Sequence, residues 1–443
     1  MVSVTGVEMR RFVACSFGGG GVSRVPAGFL LSGVYFSLLV LPSLAFCASW
    51  EPIGPDGGNF IFSVTNPADA NQVTAITSSP SPPYVWRSTD AGTTWRKIGE
   101  IPYPSISDVA AFDFSTLYAI TSSRCYRSTD GGATWTESWL PSNAGWAYNV
   151  CVDPTDSNKV YAVGYLYVSS EQKEKMALFK STDGGQRWSP SSWFTFDYFS
   201  PLDMAISKSD PNVIYVSGYK SAGLYSYGAL LKSSDAGNSW TDISEWLDSE
   251  PFHLFNAIAI DPTDADKVYV GGSFFYRTER NPGGTDVSWT RNPTPFLYTI
   301  GIDPIEPSRI YIGSYQSVGV STDYGQSWTL HPNCVRSTVM YVEPALAKPS
   351  TVYASTYAGF YKSPDSGATW ASAHQGLRAA MISALAVTPS KVLIQSNSYL
   401  MAHNRDADGA WRYVVTPESC GVVCDILTNP TNPDIVLILE DYG

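Results

Sequence analysis

The stretch YRSTDGGATW, Tyr126 to Trp135, decides how the chain is read, because it recurs. WRSTDAGTTW (86 to 95), FKSTDGGQRW (179 to 188), LKSSDAGNSW (231 to 240), GVSTDYGQSW (319 to 328) and YKSPDSGATW (361 to 370) repeat its order of hydroxyl, acid, glycine and tryptophan. Two looser copies keep the rhythm: YRTERNPGGTDVSW ending at Trp289 and AHNRDADGAW ending at Trp411. Successive tryptophans fall about 40 to 50 residues apart, a period that signals a repeat architecture.

A second element precedes each box. VCVDPTDSNKVYAVG (150 to 164), IAIDPTDADKVYVGG (258 to 272) and IGIDPIEPSRIYIGS (300 to 314) are two apolar runs around an Asp-Pro turn, which predicts a hairpin. Looser copies begin near Val64, Val109, Met204, Met340 and Leu385. The aromatic-led run before the box and the Trp-led run after it add two strands, so one unit is a four-stranded antiparallel sheet. Such units stack radially to bury both faces, and the fold class expected is all-β, a β-propeller of four-stranded antiparallel blades with about eight repeats, seven to nine being possible. The domain spans 49–443. It opens on the lone strand WEPIG and stops in CDILTNPTNPDIVLILEDYG, the first two strands of a ninth repeat. A terminal strand borrowed into the last sheet would seal the ring.

Within the box, the acid and glycine fall in a hairpin turn. The carboxylate is expected to accept hydrogen bonds from the turn's own amides, the glycine to take the positive φ, and the tryptophan to wedge between sheets. Six equivalent acids spread around a ring do not make an active site, which needs one pair. Asp90, Asp130, Asp183, Asp235, Asp323 and Asp365 are therefore read as structural.

The pattern SxDxGxxW resembles the Asp-box, or BNR repeat, of sialidases, family 74 xyloglucanases, sortilin/Vps10-type receptor domains and Ycf48-type photosystem II assembly factors. The resemblance covers nearly everything after the N-terminal segment and is specific for fold, much less so for function. It implies that the boxes lie at the blade periphery, away from the ligand face. A sialidase-like site would bring an Arg-Ile-Pro motif, which is absent. A xyloglucanase-like site would bring an acid in the first blade, where the corresponding loop AITSSPSPPYVW has none.

Composition narrows the rest. The chain has 443 residues, 44% hydrophobic and 15% charged, and a formal net charge of −12, which opposes nucleic-acid binding. Arg10, Arg11 and Arg24 precede the apolar run AGFLLSGVYFSLLVLPSLAFCA (27 to 48), so residues 1–48 read as a signal peptide. The alternative is an uncleaved segment that holds the protein at a membrane. Export to the periplasm, extracellular space or cell surface is expected. Five cysteines remain beyond that segment, with no CxxC pair, and neither a metal site nor a cofactor is expected.

Ligand chemistry is expected where loops enter the innermost strands, at Asp108, Asn149, Asp203, Asn256, Thr299, Thr338 and Ser383. The longest of these loops bring aromatics to one sector, with Trp193, Tyr198, Asn256, Trp246 and Tyr219 as ligand-binding candidates. The reading is an exported, non-catalytic binding or assembly module for a protein, peptide or glycan. The alternative is a glycoside hydrolase that uses a pair of loop carboxylates, with Asp203, Asp197 and Asp108 as its candidates.

Overall fold

Each pair of apolar runs around an Asp-Pro or Asn-Pro turn forms a strand pair in the computed structural model, and each box follows the third strand of its sheet. The structure describes residues 11–16 and 57–441, apart from 80, 170–172, 194–198, 223, 245–246, 248–249, 281–286, 336, 349, 374, 376–377, 380–381, 388–390, 397–398, 405–410, 414–421 and 429–434. The chain divides into two compact units, Asp56–Ala379 and a second made of Met1–Pro55 with Ala380–Gly443.

Seven sheets, each of four antiparallel strands in chain order, make up the larger unit. They are numbered here as blades 1 to 7, with first strands Gly57–Asn66, Asp108–Ala111, Ala144–Asp153, Phe199–Ile206, Phe255–Ile260, Thr299–Ile302 and Val339–Pro344. The ring closes between blades 7 and 1. Phe60 meets Phe360 edge to face at 5.8 Å, the Trp95 indole donates to the Ala373 carbonyl at 2.7 Å, and Lys362 Nζ donates to the Ala91 carbonyl at 2.8 Å. Arg378–Ala379 adds a short parallel strand beside Gly57–Gly58.

Among the described residues there are therefore eight sheets of four antiparallel strands, and seven of them make the closed β-propeller. The eighth, from Ile382 to Tyr413, belongs to the smaller unit. There, too, Val422–Thr428 pairs with Ile435–Asp441, which pairs with Arg11–Ser16. That last strand falls inside the expected leader. The remainder of the leader, and the opening WEPIG, lie outside the described residues. Among the described residues no helix is long and apolar enough to cross a membrane.

The core lies between blades. Tyr118, Ile120 and Cys125 of blade 2 pack on Val150, Val160 and Phe179 of blade 3, and equivalent clusters fill the other junctions. The second strands Leu117–Ile120, Ile310–Ser314 and Val352–Thr356 are buried at every position, as expected of strands covered on both faces.

All six boxes share the hydrogen bonds among hydroxyl, acid and glycine, and in four of them the tryptophan indole also donates to the glycine carbonyl, Trp240 donating to Ser192 Oγ instead. In blade 2, Ser128 Oγ donates to Asp130 Oδ1 at 2.8 Å and accepts from the Gly132 amide at 2.7 Å. Asp130 also accepts from the Thr134 amide at 2.9 Å and its hydroxyl at 2.6 Å, and the Trp135 indole donates to the Gly132 carbonyl at 3.1 Å. The turn needs two consecutive left-handed residues, and only the second is always glycine. The first is Ala91, Gly131, Gly184, Ala236, Tyr324 or Ser366. Its amide bonds a carbonyl in the hairpin joining the first two strands, Ser115 in blade 2 and Asn71 in blade 1, so the box ties two turns of one blade together. At the second position a Cβ would lie 2.6 Å from Val85 (at Gly132), 2.1 Å from Leu178 (at Gly237) and 2.4 Å from Phe275 (at Gly325). Close approach to the preceding blade is thus a second reason for glycine there.

Candidate functional site

Antiparallel order fixes which residues can meet a ligand together. In every blade the start of the first strand, the end of the second, the start of the third and the end of the fourth share one end of the sheet, while the boxes and Asp-Pro hairpins share the other. The box acids are thus held at the end opposite the loops that lead into the innermost strands. Their carboxyls sit low: Arg187 holds Asp183 down to about 2, and Ser239 does the same for Asp235.

Strand register shows which residues occupy equivalent places on the innermost strands. Asp108 pairs with Ile120, Asn149 with Val163, Asp203 with Ser217 and Thr299 with Gly313. The same place is taken by Phe62, Ala257 and Tyr341 in the other three blades. Asn256 and Thr338 are thus offset from the ring in which they were expected. Asn256 donates to the Leu297 carbonyl at 3.4 Å, and Thr338 forms a bridge with Tyr315. Ser383 belongs to the smaller unit.

Two of the expected acids clasp neighbouring blades. Asp108 Oδ1 accepts from the Val109 amide at 2.8 Å and Oδ2 from the Val150 amide of blade 3 at 3.0 Å. Asp203 repeats this with Met204 at 2.8 Å and Ile258 of blade 5 at 2.9 Å. A third acid, missed in the sequence, completes the set: Glu343 Oε1 of blade 7 accepts from Thr65 Oγ1 of blade 1 at 3.3 Å. Its neighbour Tyr341 meets Phe62 at 5.1 Å. Asn149 Nδ2 donates to the Leu202 carbonyl at 3.1 Å, and the Cys151 thiol to the Met204 carbonyl at 2.9 Å.

These groups lie close enough to feel one another's charge. Each acid is partly buried and keeps some of its surface exposed. Burial pushes Asp108 up to about 6 against the pull of the Val150 and Val109 amides. Asp203 rises to about 7, through burial and then the charge of Asp108. Glu343 rises to about 7 through burial, opposed by Thr65 and Lys208. Burial and these same acids raise the Tyr341 phenol, and burial with Asp108 and Asp203 raises the Cys151 thiol. Among the described residues no group of three or more His, Cys, Asp or Glu side chains is placed to hold a metal.

Of the aromatic candidates, Tyr219 is half-buried in the strand Ile214–Ala222, opposite Ser200 and Gly228. Trp193 ends its strand opposite Ala177. Tyr198, Trp246 and Asp197 lie outside the described residues. Other exposed aromatics gather at the same end: Trp146 and Tyr225 near the starts of their strands, and Phe296, Tyr298, Tyr315 and Tyr357 in short connections.

Residues 83–223 match the family model for sortilin, neurotensin receptor 3 (Sortilin-Vps10). A xyloglucanase of Paenibacillus sp. is 28% identical over 254 residues, covering 44% of this chain and 24% of the relative. The chain spans about a quarter of the length of the curated relatives it matches. The crystal structure of an ancestral GH74 enzyme aligns with a TM-score of 0.54 at 15% identity, covering 89% of this chain and 69% of that one. YCF48 from Cyanidioschyzon merolae aligns with a TM-score of 0.51 at 16% identity, covering 71% and 98%. These matches agree with the Asp-box resemblance, and the two structures with the propeller fold.

Proposed function

We propose that the seven-bladed ring is an exported, non-catalytic binding or assembly module whose ligand, a protein, peptide or glycan, meets the end where the innermost strands begin. One observation carries this reading. Both oxygens of Asp108 and both of Asp203 are taken by amides of their own and the next innermost strand, so these acids serve the ring before any substrate. A glycosidase needs a carboxylic acid facing the glycosidic oxygen and a second carboxylate facing the sugar ring. The exposed aromatics at that end suit binding.

The second reading, glycoside hydrolysis, is favoured by the xyloglucanase relatives and by carboxyls raised to about 6 and 7, the range of a general acid at neutral pH. Incubating the full chain with a polysaccharide panel separates the two. Retention on a ligand without release of reducing ends supports the module, whereas turnover that disappears in Asp203→Asn establishes the hydrolase and removes the module reading.

A further inference from the structure

The sheet of blade 4 outgrows the ring at the loop end. Its second and third strands, Ile214–Ala222 and Tyr225–Ser233, pair over nine residues, and Ser217 opposite Asp203 marks the ring. Five residues of the second strand follow Ser217, against one after the equivalent place in blades 6 and 7. At about 3.3 Å per residue, the hairpin stands roughly 13 Å above theirs. Leu224 lies in its turn with 92% of its surface exposed, and Tyr225 beside it is 50% exposed. The loop that follows blade 4 is laced to this hairpin. The Phe252 amide donates to the Ser226 carbonyl at 2.6 Å, Pro251 bridges Tyr227, and the Phe252 ring meets Tyr225 edge to face at 5.8 Å. Phe252 has φ +67°, a left-handed conformation unfavourable for an aromatic residue, yet it is 62% exposed. The backbone is thus held in a costly shape that displays the ring to solvent.

Size and shape limit what such a feature can meet. Leu224, Tyr225 and Phe252 together expose on the order of 400 Å², about half of the roughly 800 Å² that each partner covers in a stable protein interface. They sit on a projection, so a rigid protein would have to supply a pocket for them, whereas the apolar layer of a bilayer closes around an apolar tip. Leucine at the apex with aromatic rings below it is the order of residues that suits a membrane interface. Charge selects the kind of bilayer. Residues 221–229 include no Asp, Glu, Lys or Arg, and Lys220 next to them is paired with Asp242 at 3.2 Å. Asp248 and Glu250 precede Phe252 in the sequence. In the sequence of the equally long hairpin of blade 3, Glu171, Lys173, Glu174 and Lys175 supply two charges of each sign. On a chain of net charge −12, such a tip gains nothing from anionic lipids and is matched to zwitterionic headgroups.

We infer that the Leu224 hairpin tip, with Phe252, is an insertion point for a zwitterionic lipid bilayer, which turns the loop end of the ring toward the membrane. The inference is independent of whether the ring holds its ligand or hydrolyses it. Flotation of the full chain with phosphatidylcholine vesicles tests it. Association half-saturated at roughly millimolar lipid is expected. It should weaken about tenfold in Leu224→Ser and in Phe252→Gly, the second of which suits the left-handed conformation. Tyr315→Ala, at an exposed tyrosine of blade 6, should bind as the parent does, and circular dichroism should show all three variants folded. Vesicles with added phosphatidylglycerol should bind no more tightly. Binding undiminished in Leu224→Ser and Phe252→Gly, as the apolar run 27–48 alone would give, overturns the proposal. So do absence of vesicle binding, binding that requires phosphatidylglycerol, and a dimer in solution that the two variants dissolve.

Discussion

Asp130 has the residue types around it that an active-site acid would have, and its partners explain why it is none. One oxygen accepts from Ser128 and the Thr134 amide, the other from the Thr134 hydroxyl, as in a helix cap. Asp130→Ala should lower stability by about 1 to 2 kcal/mol, the cost of removing such a cap, and leave the ligand affinity of the folded protein unchanged. Denaturant titration with a binding assay checks this, and an equally stable variant that no longer binds would show the reading wrong. Gly132→Ala should cost more, about 2 to 4 kcal/mol, since φ is +96° and the new methyl meets Val85 at 2.6 Å. The acid, the glycine and the tryptophan were legible in the sequence because their spacing repeats. The first left-handed residue was not: at Ala91, Ala236, Tyr324 and Ser366 the conformation is held by a hydrogen bond from the amide to a carbonyl in the hairpin of the first two strands, and no residue type marks it.

At the scale of strands and sheets, each blade was legible in its Asp-Pro hairpins and boxes, while the identity of the blade that closes the ring was not. Repeat 7 has the full box and repeat 8 a looser copy of it, but both keep the four-strand rhythm, and closure depends on which one meets blade 1. Trp95 reveals it. Its indole donates both to its own Gly92 carbonyl and to Ala373 of blade 7, whereas Trp135 makes only the local bond among the described contacts. Trp95→Phe should therefore lower the melting temperature more than Trp135→Phe, by about one additional buried hydrogen bond, on the order of 1 kcal/mol. Equal losses in the two variants would argue against closure at that seam. The innermost strands were legible in part for a related reason. Asp108 and Asp203 announce themselves by charge, but Glu343 sits two residues past Tyr341, the place in register with them, and only strand pairing places it beside Thr65.

For the whole molecule the acids divide into two sets whose opposite displacements set the response to pH. Carboxyls of Asp183, Asp235 and Asp323 titrate near 2 in the folded ring, below the ordinary 3.8, so the folded state has shed protons that the unfolded chain still binds between about pH 2 and 4. Their contribution is present above the unfolded value and is lost as pH falls toward 2. Asp108, Asp203 and Glu343 do the reverse. With folded values of about 6, 7 and 7, they hold protons that the unfolded chain has released from about pH 4 upward, so stability falls between about pH 4 and 7 and levels off above. The ring should be most stable near pH 4 to 5 and should weaken toward pH 8, with each clasping carboxyl costing on the order of a few kcal/mol when it ionises. Melting followed by circular dichroism at pH 4.5, 6 and 8 should show a monotonic fall on the order of ten degrees or more. Asp203→Asn keeps an acceptor for the blade 5 amide and cannot ionise. It should remove Asp203's share of the fall between about pH 4 and 7 and leave melting at pH 4.5 close to that of the parent. A parent whose stability instead rose from pH 5 to 8 would show that the three buried acids are ionised at no cost, and would remove the basis for reading them as clasps enclosed by the blades they join.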